Sequence, residues 1–295
     1  MSDLPATEAV DPATAGIDAL APRALAHVLV ETQRGAVDAA LAASDAIAAA
    51  TDLVVAALRG SGRVVLIGAG TSGRLAVLDA AELPPTFGLD PQRVQARIAG
   101  GDVALRGAVE GAEDDVAAGA QAVGDVGPGD VVIGVSASGG APFVRSALQA
   151  ARGRGAHTVA LVNVPRAPLA EHADVAIVAA TGAEPIAGST RMRAGTAQKI
   201  VLNAISTGAM IRLGKTYRNR MVDLVATNAK LRARAERLVR ELAGTEIDAG
   251  ALLAAADGSV KTAIVMARRA VDRAAADALL ADAGGRLAAV IADRD

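Results

Sequence analysis

Residues 63–88 read RVVLIGAGTSGRLAVLDAAELPPTFG, and this stretch decides the fold. Arg63 to Ile67 is a short, largely apolar run bounded by glycines, the pattern of a strand buried on both faces. A turn of glycine and hydroxyl residues follows, then a helical pattern from Ser72 that ends at Glu82 beside Pro84 and Pro85. Strand, turn and helix in that order open an α/β unit, and the helix start offers unpaired backbone amides to an anion.

Gly68, Gly70 and Gly73 satisfy the dinucleotide pattern G-x-G-x-x-G. A dinucleotide site also needs an acid at the end of the next strand to hold a ribose hydroxyl. The next apolar segment, Val94 to Ile98, instead runs into Ala99, Gly100 and Gly101, and Asp102 comes only after them. Thr71 and Ser72 add hydroxyl donors to the turn, which suits a compact phosphate better than a dinucleotide.

Two more turns share this chemistry. Asp130 to Val135 is another apolar strand, and it delivers Ser136, Ala137, Ser138, Gly139 and Gly140 before a helix that begins near Ala141. Gly188, Ser189 and Thr190 precede a long helix expected over about 194–213. Any one of these turns reads equally well as an ordinary helix cap. Three together point to a phosphate carried on a neutral sugar, met by Gly70, Thr71, Ser72, Ser136, Ser138, Gly139, Ser189 and Thr190.

Composition excludes several classes. The 295 residues suffice for one large α/β domain with helical additions. A formal charge of −2 and a pI near 6.0 leave no field for a polyanion, so no nucleic-acid partner is expected. Without cysteine there is no disulfide, thiolate metal site or cysteine nucleophile. His27, His157 and His172 are scattered and suggest no metal site; no metal and no cofactor is expected, since general acid and base chemistry suffices for the reaction implied below. The acidic start and the lack of an eighteen-residue apolar run argue against a signal peptide or membrane span, and the expected location is the cytoplasm. Phe87, Phe143 and Tyr217 are the only aromatic residues, too few for base stacking, and the mean hydropathy of +0.35 reflects alanine-rich helices.

The spacing predicts an N-terminal arm with Pro5, Pro12 and Pro22, a helical stretch over 23–58, then strands near 63–67, 94–98, 130–135, 158–162 and 174–178 alternating with helices. One of these helical regions covers 105–123. The alternation argues a parallel sheet covered on both faces, with ligands gathered at the carboxyl ends of the strands. Beyond residue 182 the pattern is wholly helical, with long helices near 194–213 and 221–242 and a small helical bundle at the end. The expected division is 1–58 for the arm and helix, 59–243 for the sheet domain with its following helices, and 244–295 for the bundle.

Two carboxylates stand out. Glu82 precedes Leu83, Pro84 and Pro85, and the prolines are expected to stop the helix and fix the backbone that aims it. Glu113 lies in AVEGAEDD, where Gly111 interrupts a helix and Glu110, Asp114 and Asp115 crowd the same stretch. An acidic cluster of this kind also reads as a solvated helix start.

The segments TEAVDPATAGIDAL, IGAGTSGRLAVLDAAELPPTFG, RIAGGDVAL, AVEGAEDD, VVIGVSASGGAPFV and GAEPIAGSTRMRAGTAQKIVLNAISTGAMIRLGK span nearly the whole chain. In them the sequence resembles the N-acetylmuramic acid 6-phosphate etherases of the sugar isomerase (SIS) fold family. The resemblance implies a three-layer α/β sandwich with a mainly parallel, doubly wound sheet, a helical N-terminal extension and a small C-terminal helical domain like a ubiquitin-associated fold. It also implies a homodimer with sites near the subunit interface and a part in cell-wall amino sugar breakdown.

The implied reaction is cleavage of the D-lactyl ether at C3 of N-acetylmuramic acid 6-phosphate, giving N-acetylglucosamine 6-phosphate and D-lactate. In the ring-opened sugar the C1 aldehyde acidifies the C2 proton; a base removes it while an acid protonates the departing oxygen, and water then adds at C3. By resemblance Glu82 is the proton donor and Glu113 the base. Where the family usually carries Arg and Thr after Ser138 and Gly139, this chain has Gly140 and Ala141, and Arg74, Arg191 and Arg193 are the candidate substitutes for the guanidinium. Two other readings remain on the same fold: a non-catalytic phosphosugar-binding regulator, which needs the hydroxyl loops without both glutamates, and an aldose–ketose phosphate isomerase, which needs no lactyl pocket.

Overall fold

The prolines of the arm leave it only short turns: Ala6–Glu8, Pro12–Thr14 and Ile17–Ala19 are single 3-10 turns. The chain was examined as a computed structural model, which describes residues 4–224 and 229–291. The helical stretch that follows is three helices, α1 (Pro22–Glu31), α2 (Arg34–Ala42) and α3 (Ser44–Arg59). Next come β1 (Val64–Gly68), α4 (Gly70–Phe87), β2 (Val94–Ile98), α5 (Val116–Gln121), β3 (Val131–Val135), α6 (Pro142–Gly153), β4 (His157–Val162), β5 (Val175–Val178) and α7 (Arg193–Arg212).

The five strands form one sheet in the order β2-β1-β3-β4-β5, every pair parallel. Val64 stands beside Val94 and Val131, and Val131 beside His157, so the strands start nearly level. Alternate residues point to opposite faces. Val65, Ile67, Val132, Ala160 and Val162 join a buried cluster with Phe143, Val144, Leu148 and Ala151 of α6. Leu66, Ile133 and Leu161 lie between them in sequence, are equally buried, and stand outside that cluster. The β3 residue Gly134 leaves room for α6, because an added Cβ would lie 3.0 Å from Leu148 Cγ. The strand order reverses between β1 and β3, so the crevice beyond their carboxyl ends is the expected ligand site.

The structure differs from the sequence reading in three places. Pro84 and Pro85 do not stop α4, which continues to Phe87 and closes with Gly88 N donating to Pro84 O at 2.9 Å. The prolines remove two amide donors, but only one more turn has to form beyond them. Residues 105–123 are not largely helical. A 3-10 turn at Gly101–Leu105, entered through Gly100 (φ 83°) and Gly101 (φ 67°), ends where they begin, and Gly111 (φ 70°) interrupts them ahead of a second 3-10 turn at Ala112–Asp114 and the short α5. The helix expected from residue 221 is preceded by a hairpin, β6 (Thr216–Tyr217) and β7 (Arg220–Met221), with Arg218 at φ 52°; α8 (Ala229–Ala243) takes up the helical part, and the start of the expected helix at 225–228 lies outside the described residues.

The chain divides into two compact units, one of residues 1–81 and 92–206, the other of residues 82–91 and 207–295. The second unit thus includes more than the expected 244–295, because Leu238 and Val239 of α8 share a core with Val222, Leu224, Ile264 and Leu287. Its remaining helices are α9 (Ala249–Ala255), α10 (Val260–Arg269), α11 (Arg273–Asp282) and α12 (Leu287–Ile291). Lys261 is buried in this unit, its ammonium 2.8 Å from Asp223 Oδ2 and donating to Gly285 O at 2.9 Å; burial pushes its pKa down. Among the described residues no single helix is long and apolar enough to cross a membrane.

Candidate active site

The first hydroxyl turn owes its shape to its glycines. Gly68 and Gly73 face each other where β1 ends and α4 begins: a Cβ on Gly68 would lie 2.7 Å from Gly73 N, and one on Gly73 2.7 Å from Gly68 O. Gly70 supplies the left-handed turn at φ 52°. The helix can therefore start immediately after the strand, presenting the amides of its first turn beside Thr71 and Ser72.

The loop after β3 is held from behind. Ser136 N donates to Leu161 O at 3.0 Å and Asn163 N to Ala137 O at 2.8 Å, which fastens the loop to the end of β4. Within it Gly139 N donates to Ser136 Oγ and Gly140 N to Ser138 Oγ, both at 3.1 Å. Gly139 takes φ 70°, and a Cβ there would lie 2.6 Å from Ala167 Cβ. Its role is close packing behind the loop.

The third turn is set by a buried acid that the sequence reading did not single out. Glu184, fully buried, accepts from Arg193 N at 2.7 Å and Ala194 N at 2.8 Å, capping the start of α7. Burial pushes its pKa up. Gly195 N then donates to Thr190 O at 2.8 Å, tying the turn to the helix.

Glu113 rides on the 3-10 turn after Gly111, and Asp115 next to it caps α5 by accepting from Ala118 N at 2.8 Å. α5 presses against α6, where a Cβ on Gly119 would fall 2.1 Å from Phe143 O, so only glycine lets the two helices meet. That contact carries the Glu113 turn to the start of α6.

These elements enclose a cavity of about 290 Å³ at the β1/β3 crevice. Gly70, Thr71, Ser72, Glu113, Ser136, Ser138 and Thr190 line it together with Glu8, Ala69, Val135, Ala137 and Ala141. Seven of the ten residues singled out from sequence thus meet in one place. Gly139 and Ser189 are not among the lining, and Ser189 N instead closes a turn onto Ile186 O at 2.9 Å. Glu82 is exposed near the C-terminal end of α4, in the 82–91 stretch that groups with the second unit.

Among the described residues no cation lines the cavity. Two of the three candidate arginines are committed elsewhere. Arg74 donates to Ala104 O at 3.0 Å and Gly107 O at 2.9 Å, and Arg193 to Thr32 O at 2.8 Å and Ala183 O at 2.6 Å. Arg191 is exposed and outside the lining. The anion-binding capacity of the cavity therefore comes from the α4 amides and from the hydroxyls. Among the described residues no group of three or more His, Asp or Glu side chains is placed to hold a metal ion.

Glu8 is the lining residue that sequence reasoning missed. It comes from the arm, over a hundred residues from the turn it meets, and no local spacing relates the two. Gly188 N donates to Thr7 O at 3.0 Å and brings the arm alongside.

Comparison with known proteins agrees with this architecture. Residues 46–152 match the family described as the glucokinase regulatory protein N-terminal SIS domain, and residues 109–207 match the SIS domain. A phosphoheptose isomerase from Francisella tularensis superposes with a TM-score of 0.50 at 17% identity, covering 65% of this chain and 100% of that one, a likeness of fold alone. An N-acetylmuramic acid 6-phosphate etherase of Deinococcus radiodurans is 50% identical over 99% of this chain and 97% of its own length. One of Gloeobacter violaceus is 48% identical over 95% of this chain and 93% of its own. With half its residues shared along nearly its whole length, the chain belongs to the N-acetylmuramic acid 6-phosphate etherase family, built on the SIS fold.

Proposed function

We propose that this protein cleaves the D-lactyl ether of N-acetylmuramic acid 6-phosphate, releasing D-lactate and N-acetylglucosamine 6-phosphate. The observation that carries the reading is the hydroxyl-lined cavity at the β1/β3 crevice with Glu113 on its wall, in a chain half identical to etherases over almost its full length. The phosphate sits against the α4 amides, Thr71 and Ser72, with Ser136, Ser138 and Thr190 completing its hydroxyl cage. The open-chain aldehyde makes the C2 proton acidic, and Glu113 takes it. Electrons move to form the C2–C3 double bond as the C3–O bond breaks, and a proton passes to the lactate oxygen; Glu82, which does not line this cavity, is assigned that proton on the family resemblance alone. Water then adds at C3 to restore a hydroxyl. Each proton transfer contributes roughly 10²- to 10⁴-fold.

The purified protein incubated with N-acetylmuramic acid 6-phosphate tests this directly. D-lactate appears, and solvent deuterium enters C2 of the product. No lactate from the wild type overturns the reading, and full activity in both Glu82→Gln and Glu113→Gln overturns the assignment of roles.

The active form is a homodimer. Val30 on α1 and Val37 and Leu41 on α2 support this, being 73%, 48% and 66% exposed large apolar side chains, with Val37 and Leu41 one helical turn apart. Light scattering reads a dimer for the wild type, and Leu41→Glu shifts it toward monomer. The protein works in the cytoplasm, as a chain without cysteine gains nothing from an oxidising compartment.

A further inference from the structure

We propose that Glu8 is a substrate-positioning residue of this same cavity, accepting a hydrogen bond from a neutral donor of the sugar, a hydroxyl or the acetamido N–H. The inference rests on the etherase reading for its substrate and on geometry for its residue.

Glu8 is exposed, yet the backbone that carries it is fixed. Thr7 beside it is fully buried, and Thr7 O accepts from Gly188 N at 3.0 Å. Three residues on, Asp11 pairs with Arg193 at 3.5 Å, and Arg193 is itself bound to three backbone carbonyls, those of Thr32, Thr181 and Ala183. The arm is thus fastened on either side of Glu8, by Thr7 to the turn before α7 and by Asp11 to the first residue of α7.

The carboxylate also has a place made for it. An added Cβ on Gly188 would lie 2.7 Å from Glu8 Oε2, so the bare glycine is what admits the acid there. Gly188 serves a second purpose with φ 75°. Among the described residues the Glu8 carboxylate has no hydrogen-bond or ion-pair partner, although it lines the cavity with Thr71, Ser72, Glu113 and Thr190.

A carboxylate only accepts, and it repels the two anionic groups of the substrate, the phosphate and the lactyl carboxylate. The groups left for it are the neutral donors of the sugar. Among the described residues no cation lines the cavity, and Glu8 and Glu113 both do, so the phosphate is kept to the α4 amides and hydroxyls while the sugar body turns toward the carboxylates.

The test compares binding of N-acetylglucosamine 6-phosphate and of inorganic phosphate, by calorimetry, to the wild type, Glu8→Gln and Glu8→Ala. Loss of a hydrogen bond to a charged acceptor weakens the sugar phosphate about tenfold to a hundredfold in Glu8→Ala, less in Glu8→Gln, which keeps an acceptor oxygen. Inorganic phosphate binding stays within about twofold or tightens, since a repelling charge is gone. In the lactate assay KM rises with kcat nearly unchanged, the mark of lost uniform binding. Equal loss for both ligands, no loss for either, or a wild type that binds the sugar phosphate no better than phosphate overturns the proposal. A wild type that releases no lactate but shows the selective binding loss overturns the etherase reading and leaves Glu8 in its role.

Discussion

Gly68→Ala tests the strand-to-helix junction on which the proposed phosphate site is built. The new methyl would stand 2.7 Å from Gly73 N, 2.9 Å from Gly73 Cα and 2.9 Å from Ser72 C, all backbone atoms that no rotamer change can move. Comfortable carbon contacts lie at about 3.5–4.0 Å, so α4 must retreat from β1 by roughly 1 Å. The backbone of Gly68 is not left-handed, so the substitution adds a clash without turn strain. Overpacking of this kind costs about 1–3 kcal/mol. At about 2–4 °C per kcal/mol for a unit of this size, the melting temperature falls by roughly 2–12 °C. The retreat also moves the α4 amides away from the loop after β3, and a displacement near 1 Å lowers kcat/KM by about 10²-fold. Differential scanning calorimetry and lactate release read the two effects. A melting temperature within about 1 °C of wild type together with kcat/KM within about twofold refutes the reasoning, because the junction then tolerates a side chain.

Gly70→Ala is the companion experiment: nothing lies within 4 Å of its added Cβ, so only the φ of 52° is strained, at about 1–2 kcal/mol, and a larger loss of stability contradicts that account. Glu113→Gln lowers kcat for lactate release by roughly 10²- to 10⁴-fold, and a kcat within about twofold of wild type excludes it as the base. Burial holds the folded Glu184 carboxyl above its unfolded value, so its contribution to stability is full at low pH and falls as the pH rises through the raised value. Thermal melts from roughly pH 4 to pH 8 then show the wild type losing stability relative to Glu184→Gln, and a constant difference refutes the buried titration. In the second unit Lys261→Met leaves Asp223 with Lys215 as its remaining partner and costs about 3 kcal/mol; urea unfolding with an unchanged midpoint contradicts that ion pair's role.

The parts of the fold set by local pattern were legible in the sequence. The strand over 94–98 lies where the apolar run placed it, and the hydroxyl turns after β1 and β3 meet at the crevice that the strand order creates. Glycine was the ambiguous letter. Gly139 looks like access for a ligand, yet its missing side chain makes way for Ala167, and only tertiary packing tells the two apart. The double proline misled for a related reason. The rule that proline ends a helix concerns the amide it lacks, and a helix with a single turn left loses little by continuing to Phe87. Glu184 and Glu8 were illegible because what gives them meaning is distant or three-dimensional: one caps a helix from a buried loop, the other meets residue 188 across the arm.

The two serines after β3 have a consequence for the sign of the group they greet. Each already accepts an amide hydrogen, from Gly139 and from Gly140, on its hydroxyl oxygen. One lone pair of each oxygen is thereby taken, and what each hydroxyl still offers is its hydrogen and the second lone pair. The amides hold the two oxygens in place and draw on their electron density, so an arriving anion has only the light hydroxyl hydrogens to turn and no heavy atom to move. The loop thus spends its acceptor capacity on itself and keeps its donors for a guest.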